Sequence, residues 1–164
     1  MKVGVTGHQR RPGIDWTWVK GQIISELSRL PPPIEGYSSL AEGADQVFAE
    51  AVLESGGNLT AIIPKPHYEE QFAPAARRQY LSLLQRAHAE ELDPQHTDEE
   101  SFFNAGKYIA DHTSLLLAIW DGKRSAGPGG TADVVQYALA RGANVVHIDP
   151  LKKTVRRLLS HSES

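Results

Sequence analysis

The 164-residue chain reads as a single α/β domain of Rossmann type: a mainly parallel five-stranded sheet with helices on both faces. Three observations predict it. Short β-rich runs alternate with amphipathic stretches of roughly ten or more residues, the spacing that crossover helices between parallel strands need. One run, Leu115-Leu116-Leu117-Ala118-Ile119, is apolar at every position, as suits a strand covered on both faces. Polar or glycine-rich loops follow the first, second and fourth predicted strands, where such sheets bind ligands.

The elements follow in order. Lys2 to Thr6 reads as the first strand. Asp15 is placed to cap a helix over Trp16 to Leu30, with Trp16, Val19, Ile23, Leu27 and Leu30 on one face. Pro31-Pro32-Pro33 stops it, because proline has no N–H for the helical ladder. Gly36 to Leu40 is the second strand. A helix begins at Gly43, and Gly56-Gly57 ends it. Asn58 to Ile63 is the third strand, closed by Pro64. The pattern over Pro74 to Ala89 is helical. Glu90 to Glu100 is acidic, contains Pro94, and reads as a loop before a helix over Glu99 to Asp111. Ser114 to Trp120 is the central strand, followed by a glycine-rich loop and a helix over Thr131 to Arg141. Asn144 to Ile148 is the fifth strand. Residues 1–150 form the nucleotide-binding domain on this reading. Residues 151–164 form an amphipathic helix and tail, with Leu151, Val155, Leu158 and Leu159 opposite Lys152, Lys153, Arg156 and Arg157.

Composition narrows the function. A chain of this length suits one domain. With no cysteine, a disulfide framework, a zinc ribbon and a thiol nucleophile are excluded. The formal net charge of −3 argues against a wholly basic DNA-binding surface. No apolar run approaches the ~18 residues of a membrane helix. The sequence passes from Met1 straight into a strand pattern, so no signal peptide is expected and the cytoplasm is the expected compartment. The histidines are scattered without metal-ligand spacing, so no metal site is expected. The P-loop, dinucleotide and nucleophile-elbow motifs are absent.

Three loops carry the candidate chemistry. After the first strand come Thr6-Gly7-His8-Gln9-Arg10-Arg11. Gly7 permits close backbone approach, and Gln9, Arg10 and Arg11 supply donors for phosphate or a base edge. After the second come Ala41-Glu42-Gly43-Ala44-Asp45. Glu42 and Asp45 are suited to accept hydrogen bonds from ribose or a base amine, and Asp45 also suits the helix field. After the fourth comes Asp121-Gly122-Lys123-Arg124-Ser125-Ala126-Gly127-Pro128-Gly129-Gly130-Thr131. Its glycines, the Thr131 hydroxyl and the following helix N-terminus are the leading phosphate site. Asn104 and Lys107, on the preceding helix, are secondary candidates for closing the pocket.

Taken together, Thr6-Gly7-His8-Gln9, Leu40-Ala41-Glu42-Gly43-Ala44-Asp45 and Gly127-Pro128-Gly129-Gly130-Thr131-Ala132-Asp133 resemble the SLOG superfamily. It groups the Lonely Guy phosphoribohydrolases, the Rossmann domain of DNA-processing protein A, the YpsA-like proteins and related nucleotide-ligand sensors. The resemblance covers roughly residues 1–150. It implies a Rossmann-like fold, a pocket for a nucleotide or nucleotide-derived ligand such as ADP-ribose with no further cofactor required, and a homo-oligomer. The Lonely Guy enzymes place a Glu after Pro-Gly-Gly and an Arg-Lys pair on the preceding helix. Here the Glu position falls on Val134 or Gln136, and the pair falls near Ala105-Gly106 beside Lys107. Binding is therefore the leading function. The alternative is a nucleoside-monophosphate N-glycosidase with Asp133 or Glu42 as a displaced acid. A third reading, DNA binding through the basic C-terminal face, has least support, and no nucleic-acid partner is expected.

Overall fold

The computed structural model describes residues 1–124 and 129–159. Ser125 to Pro128 of the glycine-rich loop, His161 and the tail at 160–164 lie outside the described residues. The chain runs β1 (Lys2–Gly7), α1 (Trp16–Ser28), β2 (Glu35–Ser38), α2 (Ala44–Glu54), β3 (Asn58–Ile63), a 3₁₀ turn (Tyr68–Gln71), α3 (Pro74–Leu84), β4 (Ala87–Glu91), α4 (Asp98–His112), β5 (Leu115–Ile119), α5 (Thr131–Ala140), β6 (Asn144–Asp149) and β7 (Thr154–Leu158).

The strands form one sheet in the order β4-β3-β2-β1-β5-β6-β7, and only β7 runs antiparallel to its neighbour. The expected mainly parallel α/β domain is present, with seven strands where five were expected. The two additions are the two edges. Ala87–Glu91 does not extend α3 but pairs with β3, Leu59 opposite Ala87. Residues 154–158 do not form the expected amphipathic helix. Asp149 Oδ1 accepts from Leu151 N and Lys152 N, both at 3.0 Å. That side-chain turn, with Lys153 at a φ of 54°, reverses the chain and lays Thr154 opposite Asp149. Among the described residues, no helix is long and apolar enough to cross a membrane.

The pleat of β5 divides the core. Leu115, Leu117 and Ile119 pack with Val3, Val5, Ile23, Leu27, Phe48 and Val52 beneath α1 and α2. Leu116 and Ala118 pack with Ala105, Ile109, Val134 and Ala138 beneath α4 and α5. Every residue of β5 is buried, as its uninterrupted apolar sequence requires. The chain builds outward from β1 through β2, β3 and β4, then α4 carries it back to β5 on the other side of β1. Strand order therefore reverses between β1 and β5. The crevice beyond their carboxyl ends is where an open parallel sheet leaves room for a ligand.

Candidate functional site

Gly7 ends β1 opposite Ile119. A Cβ there would lie 2.5 Å from the Ile119 carbonyl oxygen and 2.6 Å from Ala44 Cβ, so the approach of β1, β5 and α2 requires glycine. The His8 N–H donates to Ile119 O at 2.9 Å, and Ala44 N–H donates to His8 O at 3.0 Å. Gly43 has a φ of 93°, and a Cβ would meet His8 O at 2.6 Å and Gln9 O at 2.5 Å. The first two candidate loops are thus locked together by their backbones.

The third loop joins them through His8. Its Nε2 accepts from Asp121 N at 3.1 Å, so the ring carries its proton on Nδ1. Burial holds the His8 pKa below its usual value despite Asp121 nearby. For Asp121, burial pushes upward but is outweighed. The Lys123 N–H at 3.0 Å, His8 and Arg11, 3.4 Å from Oδ2, together hold its carboxyl below the usual range. Further along, Asp133 Oδ2 accepts from Gly129 N at 2.8 Å. This fixes the turn into α5, with Gly129 at a φ of 84° against Glu99 O. The first intrahelical bonds of α5 run from Asp133 N and Val134 N to Gly130 O. The Thr131 and Ala132 N–H groups precede them and have no backbone partner among the described residues, as at a helix start that can receive an anion.

Two cavities open here. The inner one, about 250 Å³, has aromatic and apolar walls in Tyr68, Phe72, Phe102, Ile109 and Val134, with Asp45 and Arg10 among its polar groups. The outer one, about 410 Å³, is lined by His8, Arg11, Asp121, Lys123, Arg124 and Ala132. Gly7, Gln9, Gly130 and Thr131 belong to both, so the first and third loops form the saddle between them.

The structure brings together Gly7, His8, Gln9, Arg10, Asp45, Asp121, Gly129, Gly130 and Thr131 as cavity walls. Gly43 stands behind them, supporting the loop backbone. Gly122, at a φ of 81°, packs against His147, whose Nε2 lies 2.8 Å from Trp120 O. Glu42 lines neither cavity; Arg10 Nε binds its Oε2 at 2.6 Å. Asp133 lines neither and is engaged by Gly129 N. Asn104 and Lys107 also lie off the walls, with Lys107 Nζ over the Phe103 ring at 4.8 Å. Helix α4 instead presents Phe102, Gly106 and Ile109 to the inner cavity. Gly106 lets α4 approach α5, since a Cβ would meet Val134 Cγ2 at 2.6 Å.

With this geometry in place, solved structures supply a comparison. The chain shares its fold with DNA processing protein A. The structure of that protein from Streptococcus pneumoniae matches at a TM-score of 0.64 and 20% identity, over 89% of this chain and 49% of that one. The structural-genomics target TM1055 matches at a TM-score of 0.55 and 19% identity, over 88% of this chain and 71% of that one. This chain thus spans about half the length of DNA processing protein A. No protein-family model and no curated protein matches it. The matches show the Rossmann-like fold that the SLOG resemblance implies.

Sequence reasoning missed the aromatic wall. Tyr68 and Phe72 flank the 3₁₀ turn, with ring centroids 4.9 Å apart, and Tyr68 meets Phe102 at 5.9 Å. The pair Tyr68 and Phe72 between Pro66 and Pro74 was the available signal, because a short proline-bounded segment with two large aromatics has to bury them against something.

Proposed function

We propose that the protein binds a phosphorylated nucleoside of the ADP-ribose type at the switch point between β1 and β5. The observation that carries this reading is the shared wall of Gly7, Gln9, Gly130 and Thr131 between an aromatic cavity and a cationic one. A phosphate on the Gly130–Thr131 turn would accept from the Thr131 and Ala132 N–H groups and the Thr131 hydroxyl, in the favourable field of α5. The nucleoside would occupy the aromatic side. Arg11, Lys123 and Arg124 suit a second phosphate on the other side. Together the cavities are within the size range of small-molecule sites, about 300–1,000 Å³.

N-glycosidic hydrolysis by a displaced acid has less support. Glu42 is paired with Arg10 and Asp133 with Gly129 N, both off the cavity walls. The basic C-terminal face is also divided: Lys153 Nζ lies 3.5 Å from Asp15 and Arg157 Nη2 lies 3.6 Å from Glu26.

Thermal denaturation with ADP-ribose, AMP and adenosine tests the proposal. At ~100 times Kd, ADP-ribose should stabilise the fold by about 2.7 kcal/mol, or about 5–10 °C in Tm. Adenosine, without phosphate, should give a much smaller shift. Gly130→Val should fold, since Gly130 has a φ of −77°, and should lose the shift. A full shift in that variant would place the phosphate elsewhere.

A further inference from the structure

Asp45 stands in the first turn of α2, is half-buried and lines the inner cavity. Its surroundings disfavour a charge. Tyr68 packs edge to face with Phe72, Tyr80 and Phe102 to form the aromatic side of this region. Oδ2 accepts one N–H, from Ala41 at 3.3 Å. Among the described residues, no cation lies within ion-pair distance of Asp45. Arg10, the cation lining this cavity, is held by Glu42. The other titratable wall residue is Tyr68, whose phenol burial pushes well up, with the Asp45 charge adding to the shift. Burial likewise raises the Asp45 carboxyl to about 7, against the smaller opposing effect of the Ala41 N–H.

We propose that Asp45 is the base-reading group of the site and selects an edge in which a ring-nitrogen acceptor lies beside an exocyclic amine, the edge that adenine and cytosine share. The inference rests on the nucleotide reading above. A neutral carboxyl offers an O–H donor and a carbonyl acceptor side by side. An acceptor beside an amine is its complement, so each partner meets its opposite. A guanine edge offers adjacent N–H donors and matches an ionised carboxylate instead. The aromatic side supplies faces on which a base stacks.

Calorimetric titration of AMP, CMP, GMP and UMP into the full chain at pH 6 and pH 8 tests this. Wild type, Asp45→Asn and Gly130→Val are compared. AMP and CMP should bind more tightly than GMP and UMP. The wild-type affinity for AMP should fall about tenfold more between the two pH values than that of Asp45→Asn, because only the protonated fraction is competent. Asparagine keeps a donor and an acceptor at both pH values. It also reports separately the titration of the nucleotide phosphate, near pH 6.

A wild-type preference for GMP, which needs no variant to detect, overturns the inference. So do matching pH profiles for wild type and Asp45→Asn. If Gly130→Val still abolishes binding in either case, the phosphate reading stands alone. Failure of all four nucleotides to bind overturns both.

Discussion

At Asp45, burial and the Ala41 N–H act on the carboxyl in opposite directions, and burial wins. The unfolded chain releases this proton near 3.8 and the folded chain at about 7. Between those values the folded state binds more protons, so its stability falls as pH rises across the window. Asp45→Asn removes the charge and keeps the shape. It should raise stability at pH 8 by about 1–4 kcal/mol and change little at pH 4, as read from urea midpoints. An equal gain at both pH values would mean that the carboxyl is not buried as a charge. His8 has the opposite sign. Burial favours its neutral form, whose Nε2 accepts from Asp121 N. Its contribution is present above the ordinary histidine range and is lost as pH falls through the lowered value. The two groups therefore oppose each other around one crevice.

Helices α4 and α5 meet where Gly106 faces Val134. The Lonely Guy resemblance assigns positions near these to an Arg and a Glu, yet here they are a glycine and a valine in contact. Gly106→Ala should cost about 1–3 kcal/mol by overpacking. Val134→Ala in the same chain should recover part of that loss, giving a non-additive cycle in chemical denaturation. Simple addition of the two losses would show that the helices do not press together there. The central elements were legible because their sequences state their burial. Leu115–Ile119 is apolar throughout, and Asn58–Ile63 has the bounds read from sequence. The edges were not. Ala87-His88-Ala89-Glu90-Glu91 is largely exposed and rich in helix formers, and only pairing with β3 makes it a strand. At the C-terminal edge, Val155 and Leu158 of the last strand and Leu159 just after it imitate a helical stripe. Asp149-Pro150 was the overlooked turn signal. At the candidate site, residue type singled out Asp45, Gly129, Gly130 and Thr131, which the fold places on the cavity walls. The roles of Glu42 and Asp133 were not, because each depends on a partner, Arg10 or Gly129, that only the folded loops bring near.

Across the whole molecule, the last strand is fastened to the first helix. Glu26, 5% exposed, receives Arg29 at 3.2 Å and Arg157 at 3.6 Å. Arg157→Ala should cost about 1 kcal/mol, since the arginine is itself largely exposed and screened. The loss should be smaller when Glu26→Gln is already present. Equal losses in both backgrounds, measured by thermal unfolding, would detach β7 from α1. The order of strands has a further consequence for assembly. Val3 to Gly7 must pair with Leu115 to Ile119, so the innermost ladder of the sheet joins residues more than a hundred positions apart. A chain emerging from a ribosome can bring β1 through β4 together while one flank of β1 still lacks its neighbour. That flank exposes an unfilled row of backbone donors and acceptors, the kind of edge that recruits foreign strands. The crevice has no second wall until β5 arrives. During synthesis a ligand of the proposed kind would therefore find no complete site, and protection of the nascent chain would fall to rapid completion or a chaperone.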